Sequence, residues 1–310
     1  MAANVETMFY TREKPWHGLG KMVMEAPTSG EALNLAGLDW QVIQKSIKTD
    51  DGIPVPGFKA NIRDLDERVL GVVTDRYKVV QNNEAFSFTD DLLGEGVTYE
   101  TAGSLQDGRR TWILAKLPHR YIISGDEVTP YLVFMNSHDG TGAIKAAMTP
   151  IRVVCNNTLN LALERAKRIW STNHTGNIRG KMDDARNTLL YADLYMGELG
   201  KEIDNLNRIK LSDRQVYEYI DELFPLVDNP TEQQRKNLMQ MKEDVKIRYF
   251  DAPDLQNTGK NAYRFINAVS DFATHAKPLR ERANYKESLF ARTVEGNAMI
   301  DKAYELVRAA

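Results

Sequence analysis

Residues 131–170, YLVFMNSHDGTGAIKAAMTPIRVVCNNTLNLALERAKRIW, decide how the fold of this chain is interpreted. Residues 131–136 have the pattern of a strand, the glycines in residues 138–142 predict a turn, and a second strand is expected from Ala143. A helix should follow from Asn156 or Asn157, because either side chain is a good N-cap. The stretch therefore predicts two strands joined by a turn and then a helix that extends towards Trp170.

The sequence before this stretch is rich in short strand-like segments. Thr28 and Glu31 form a capping-box pattern for a short helix, and a second helix is expected from Asn82 or Asn83. Gln106-Asp107-Gly108 is a hairpin signal, whereas residues 1–27 lack periodicity and are expected to form a loop or arm. Strands are predicted over residues 38–47, 57–63, 69–75, 97–105, 109–117 and 128–136.

The sequence after residue 175 has a helical pattern instead. Apolar or small residues recur from Met182 to Leu206 in alternating steps of three and four, which predicts one long helix with a coiled-coil type of seam. The seam has two interpretations, a bundle within one chain or contact between chains. Four more helices are expected, over residues 212–224, 230–249, up to 275, and 296–308.

Together these patterns predict an α+β fold in two domains. Residues 1–175 should form an antiparallel, hairpin-rich sheet with a few helices, and residues 176–310 a helical domain that contains the heptad-patterned helix. The chain has 310 residues, of which 42% are hydrophobic and 27% charged, as is usual for a soluble globular protein. No apolar run is long enough for a membrane span, and Cys155 is the single cysteine. We therefore expect a cytoplasmic protein without disulfides.

Charge is distributed unevenly along the chain. The net charge is −3, yet residues 143–182 contain seven basic residues and one acid, a net charge of +6. A basic stripe on a mildly acidic protein favours an anionic partner such as nucleic acid, although it also fits a solvated helix face. Tyr77, Trp112 and Tyr131 are candidates for base stacking. The residues predicted to bind DNA are Arg109, Arg110, Lys145, Arg152, Asn156, Asn157, Arg165, Lys167 and Arg168.

Motifs for catalysis are scarce. The sequence lacks a P-loop and the HExxH, CxxC and GxSxG patterns, and its histidines lack the short spacings of a metal site. The triplet His138-Asp139-Gly140 is interpreted as a turn rather than as part of a metal-dependent hydrolase. We therefore predict no catalytic set, no metal and no cofactor.

Several motifs spread over nearly the whole chain resemble a known family. They are PWHGLG (15–20), LGVVTDRYKVVQNNEAF (70–86), ETAGSLQDGRRTW (100–112), TPIRVVCNNTL (149–159) and NAVSDFATH (267–275) with KESLF (286–290). Together they resemble the phage/plasmid-like protein family, a domain of unknown function common in phages and mobile elements. This resemblance implies a phage-type origin and a location in the host-cell cytoplasm, not an activity.

The order of a short helix, GLDWQV, a hairpin-rich sheet and a basic helix is also similar to the core of single-strand annealing proteins. That resemblance implies subunits assembled in rings, with Lys145, Arg152 and the basic cluster at 165–168 in contact with phosphate. We therefore expect a homo-oligomeric protein that binds single-stranded DNA and anneals strands in recombination. Two alternatives stay open: a phage counter-defence protein that sequesters a nucleotide, held at Asn156 and Asn157, or a host protein; and a metal-dependent hydrolase using His17 or His138.

Overall fold

The computed structural model describes residues 5–11, 21–23, 28–93, 98–117, 120–123, 125–152, 157–158, 161, 168–190, 192–279, 292 and 296–309. The chain divides into two compact units. Unit 1 comprises Met1–His119, Pro130–Met148 and Arg168–Ala192, and unit 2 comprises Arg120–Thr129, Thr149–Lys167 and Asp193–Ala310. The predicted domain boundary at residue 175 stays a prediction.

The described strands lie mostly in the first half of the chain. They are β1 (Val5–Thr11), β2 (Lys21–Val23), β3 (Val42–Lys48), β4 (Pro54–Arg63), β5 (Val69–Thr74), β6 (Thr98–Leu105), β7 (Arg110–Lys116), β8 (Tyr121–Ile123), β9 (Asp126–Ser137), β10 (Ile144–Arg152), β11 (Asn157–Thr158) and β12 (Ile169–Thr172).

Helices dominate the second half. Those that the structure describes are α1 (Ser29–Leu35), α2 (Asn82–Leu93), α3 (Ile178–Leu190), α4 (Ala192–Arg208), α5 (Asp213–Leu223), α6 (Glu232–Asp251), α7 (Ala262–His275) and α8 (Ala298–Arg308). The α+β class, with antiparallel strands first and helices after them, is therefore confirmed. Among the described residues, no helix is both long enough and apolar enough to cross a bilayer.

The larger sheet of unit 1 has the strand order β10-β9-β7-β6-β1-β2, and β12 pairs with β10. The β6–β7 hairpin forms where the sequence predicted it. Gln106, Asp107 and Gly108 all have positive φ angles, of 54°, 59° and 85°. Such angles suit glycine and, less well, short polar residues, so the local sequence favours this turn. The parallel pairing of β1 with β2 makes the sheet mixed rather than purely antiparallel.

One face of the larger sheet packs on α1 and α2 to form the core of unit 1. This core contains Phe9, Trp40, Phe86, Tyr99, Ile113, Phe134, Ile144 and Ala146. The predicted capping box starts α1, because the Thr28 hydroxyl accepts the Glu31 N–H and the Glu31 carboxylate accepts the Thr28 N–H.

The smaller sheet, β3-β4-β5, has one buried face and one open face. Leu70 and Val73 on β5 are buried, whereas Ile43, Phe58 and Val72 are each about half exposed. The open face therefore exposes an apolar side chain on each of the three strands.

Two predictions of secondary structure differ from what the described residues show. Residues 1–27 were expected to form an ordered loop or arm, but residues 5–11 and 21–23 form β1 and β2. The helix expected after Asn156 or Asn157 is replaced at both ends by strands. Asn157 pairs with Arg152, and residues 169–172 form β12, which pairs with β10. Long-range pairing with β10 outweighs the local N-cap signal, and Ile, Trp and Thr favour strands.

In unit 2, the predicted seam residues of α4 are buried within the same chain. Met196, Leu199, Ile203 and Leu206 are at most 1% exposed. Met182, earlier in the same pattern, packs against the core of unit 1. The seam positions with described side chains are therefore used by cores inside one chain, with Met182 on α3 and the other four on α4.

The centre of unit 2 is α7, in which residues 262–270 are all buried. Arg264 on this helix donates hydrogen bonds to the carbonyls of Tyr249, Phe250 and Thr258, at 2.6, 3.1 and 3.0 Å. The first two carbonyls belong to the last turn of α6, where backbone acceptors have no partner within the helix. The buried guanidinium thus caps α6 and fixes the loop after it.

Candidate nucleic-acid interface

The structure describes the predicted DNA-binding residues to different extents. Asn156, Arg165 and Lys167 lie outside the described residues. Arg152 and Asn157 are described by their backbone, which pairs them directly across β10 and β11 in unit 2. The side chains of Arg109, Arg110, Lys145 and Arg168 are described, and all four belong to unit 1.

Three of these four cations lie at the same end of the larger sheet. Arg110 begins β7 and pairs with Ser137, the last residue of β9. Its guanidinium is 3.4 Å from the Thr141 hydroxyl in the turn between β9 and β10. The carbonyl of Arg109 accepts the His138 N–H at 2.7 Å, and Lys145 follows the same turn as the second residue of β10. We call Arg109, Arg110 and Lys145 the turn-end cations.

Strand alternation places Arg110 and Lys145 on the same face of the sheet. Ile113 on β7 and Ile144 on β10 are in the core, and side chains on a strand point alternately to opposite faces. Arg110 and Lys145 therefore project away from that core. Arg109 and Arg110 are exposed and Lys145 is half-buried. The sheet register thus joins cations that are more than 30 residues apart in the sequence.

Arg168 has a more structural position. Arg168 directly precedes β12, and its carbonyl accepts the Met148 N–H at 2.8 Å. Its guanidinium also lies 3.4 Å from the Met148 carbonyl. Arg168 therefore helps to join β12 to β10. It contacts Met148, three residues further along β10 than Lys145.

Two of the aromatic residues expected to stack on bases are enclosed. Tyr77 and Trp112 are 7% and 5% exposed. The Tyr77 ring stacks on His174, with ring centroids 4.5 Å apart, and its hydroxyl donates to the Ser137 carbonyl. Neither ring presents a face to a base, so the prediction of stacking is wrong for both. Tyr131 is half-buried.

A buried polar cluster supports the turn that carries these cations. The His138 side chain is fully buried, and its Nε2 lies 3.0 Å from Asn82 Oδ1. The Asn82 amide group donates to the Leu38 carbonyl, so its oxygen accepts and His138 carries its proton on Nε2. The Asn61 amide donates to the His138 carbonyl at 2.7 Å. The predicted turn role of His138 is therefore confirmed.

Burial keeps the histidines of this cluster neutral. Desolvation is the main cause that lowers the pKa of His138 to about 3, and the nearby His174 lowers it further against an opposing effect of Asp139. Desolvation also lowers the pKa of His174, although the Lys78 carbonyl and Asp139 oppose it. Within the described residues, His138 Nδ1 and His174 Nε2 have no hydrogen-bond partner. His138 has no surface from which it could act on a substrate.

Asp139 lies in the turn that carries these cations, and its carboxylate bonds within that turn. Burial raises the pKa of Asp139, but hydrogen bonds from Ser137 and Thr141 together with the charge of Arg110 hold the pKa below its usual value. Asp139 Oδ1 accepts from the Thr141 N–H at 2.8 Å. This carboxylate therefore orders the turn as an anion. In the part of the chain that is described, no three His, Cys, Asp or Glu residues group as a metal site would require.

Comparison with known proteins gives a family and no activity. The family described as a domain of unknown function (DUF932) matches residues 69–303, which is more than half of the chain. The match includes the turn-end cations and both histidines of the buried cluster. Searches of curated proteins and of solved structures each found no match. The chain therefore belongs to the DUF932 family, whose function is unknown.

Proposed function

We propose that this protein binds single-stranded nucleic acid, with the turn-end cations as part of its phosphate-binding surface. The observation that carries the proposal is their convergence. Arg110 reaches the turn from β7, Arg109 bonds the turn through its carbonyl, and Lys145 leaves the turn on β10. Lysine and arginine side chains that neutralise phosphates release counterions, which is the main source of affinity for a nucleic-acid backbone.

The enclosed aromatic rings determine what kind of binding is expected. Because Tyr77 and Trp112 are buried, stacking contributes little at this surface. Binding should then depend on phosphate contacts, show little sequence preference and weaken steeply with salt. A rigid turn is well suited to hold the cations, since Asn61 and Asn82 fix its backbone and its buried histidine.

The basic stripe of residues 143–182 contains the other residues that were predicted to bind DNA. Arg152, Arg165, Lys167 and Arg168 belong to it, as do the two Asn residues at 156 and 157, which would donate hydrogen bonds to phosphate. Strand annealing by a homo-oligomer encoded by a phage is the fuller form of the proposal. Light scattering with and without oligonucleotide tests the assembly, and a two-strand annealing assay tests the activity.

The decisive variant removes the three turn-end cations together: Arg109→Gln, Arg110→Gln and Lys145→Gln. Binding to a labelled oligothymidylate of about 20 nucleotides would be followed by fluorescence anisotropy over a salt series. Each phosphate contact contributes about −0.7 to the slope of log K against log salt for a single strand. The loss of three contacts should therefore make this slope less steep by about 2.

A matched control removes three exposed cations from unit 2: Arg214→Gln, Arg235→Gln and Lys236→Gln. Both variants change the net charge equally, so the control corrects for long-range electrostatics. The control should keep the wild-type slope. Equal slopes for the turn-end variant and wild type, with both proteins folded by circular dichroism, would contradict the assignment of this surface.

A further inference from the structure

A pocket in unit 1 lies between α2 and α3 and is separate from the turn-end cations. Its volume is about 600 Å³, within the range of small-molecule sites, roughly 300–1,000 Å³. The two helices contribute to it in the same way. Asn83 and Ser87 are one turn apart on α2, and Arg179 and Asp183 are one turn apart on α3. Residues at this spacing lie on one face of a helix, so two polar edges face the same space.

The floor of the pocket is apolar. Val80 and Phe88 are 1% and 5% exposed, and Ile178 and Met182 are half-buried against the core of unit 1. All four line the pocket. Phe88 is held in place by Phe134, with ring centroids 5.5 Å apart. The half-buried Ile178 and Met182 side chains therefore offer a planar heterocycle an apolar and partly polarizable surface at the bottom of the pocket.

The rim of the pocket is polar and charged. Lys78 and Arg179 are exposed cations on it, from the segment before α2 and from α3, and Glu84 is an exposed acid on α2. Glu84 accepts the Gln81 N–H with one carboxylate oxygen, at 2.8 Å, which leaves its other oxygen to accept from a ligand. Asp183 is the second acid on this rim. Two cations and two acids give the rim no net charge.

This distribution favours a ligand with one anionic group, hydroxyl groups and a planar ring. A triphosphate would bring more negative charge than Lys78 and Arg179 can neutralise beside two carboxylates. A free amino acid would leave most of the volume and the apolar floor unused. A nucleoside monophosphate matches each part: phosphate at the two cations, sugar hydroxyls at the carboxylates, and the base over Ile178 and Met182 with Asn83 and Ser87 at its edge.

We propose that the pocket between α2 and α3 binds a nucleoside monophosphate. The phosphate contacts would come from the side chains of Lys78 and Arg179. At the start of α3, the Gly180 N–H already donates to Asn177 Oδ1. This site is independent of the proposed binding of nucleic acid, which uses other cations. A nucleotide at this site would connect α2, which packs in the core of unit 1, with α3.

Isothermal titration calorimetry with AMP, GMP, CMP and UMP tests the proposal on the full-length protein. Inorganic phosphate and the nucleoside that corresponds to each nucleotide are the comparison probes, because each carries half of the proposed contacts. At least one monophosphate should bind, and both comparison probes should bind at least tenfold more weakly than that monophosphate. Phosphate that binds as tightly as the nucleotide would overturn the proposed ligand class, and so would no binding of any monophosphate at millimolar concentration.

Two double variants locate the binding site. Lys78→Gln with Arg179→Gln removes both rim cations and should weaken nucleotide binding at least tenfold. Lys48→Gln with Arg76→Gln removes two exposed cations of unit 1 that do not line the pocket, and should leave affinity unchanged. All four are surface positions, and unchanged melting temperatures would show that both variants fold. Equal affinity of the two variants would overturn the site.

Discussion

Acidification should destabilise unit 1 through His138. This side chain is fully buried, donates from Nε2 to Asn82, and has no exposed surface through which water could stabilise a charged ring. Protonation would place a cation in the core beside Trp40, whose ring centroid is 5.3 Å away. An isolated buried charge is costly, so the folded state resists proton uptake.

The sign and size of the effect follow from the two pKa values of His138. An unfolded histidine titrates near 6.5, whereas burial lowers the pKa of His138 to about 3. Between these values the unfolded chain binds more protons, so the free energy of unfolding falls as the pH falls. The stabilisation is complete above about pH 6.5 and is lost towards about pH 3, and a change from about pH 7 to about pH 5 removes about 2 kcal/mol. The lowered pKa of His174 adds a loss of the same sign.

Urea unfolding at the two pH values, followed by tryptophan fluorescence, measures this loss in unit 1, where Trp40, Trp112 and Trp170 lie. The variant His138→Gln starts less stable but lacks the titrating group, so between about pH 7 and about pH 5 it should lose about 2 kcal/mol less than wild type. The control is His275→Gln in unit 2, which should leave the pH dependence of unit 1, as followed by tryptophan fluorescence, unchanged. Equal losses in His138→Gln and wild type would refute this reasoning.

Four substitutions test the packing by denaturant unfolding. Ile203→Ala, at a buried seam position of α4, should lower the free energy of unfolding by about 2–5 kcal/mol. The mass in solution should not change, because the seam is buried within one chain. Dissociation of an assembly on mutation would contradict this. Gly103→Ala should destabilise by more than about 2 kcal/mol, since its Cβ would lie 2.4 Å from the Thr7 carbonyl oxygen, whereas Gly197→Ala in α4 meets no atom within 4 Å and should stabilise by about 0.5–1 kcal/mol. Arg264→Gln should cost about 2–4 kcal/mol by leaving the carbonyls at the end of α6 unbonded, and a loss below about 0.5 kcal/mol would show that the cap is dispensable.

The parts of the fold that the sequence predicted correctly are those with local causes. The capping box at Thr28 involves residues three apart, and the β6–β7 turn depends on the φ angles of Gln106, Asp107 and Gly108. The helix expected towards Trp170 failed because its signal was local while the competing cause was not. Trp170 pairs with Ala146, and no local pattern reports a pairing partner 24 residues away.

The residue types of the site could be predicted from the sequence, but their arrangement in space could not. The sequence gives the basic residues, yet the proximity of Arg110 to the 138–142 turn depends on the pairing of β7 with β9. Alternation placed Trp112 on one face of a strand without showing that this face is covered. The pocket between α2 and α3 was missed for the same reason. The polar pairs at 83 and 87 and at 179 and 183 were visible in the sequence, but not that the two helices face each other.

The central claim is that the protein binds single-stranded nucleic acid through phosphate contacts. The most direct test is fluorescence anisotropy of the wild-type protein with one oligonucleotide, in single-stranded and in double-stranded form, from about 50 mM to about 200 mM salt. The account predicts binding to the single strand, with an affinity that falls linearly on a log–log plot as salt rises. An absence of binding at the lowest salt, or an affinity that does not change with salt, would contradict it.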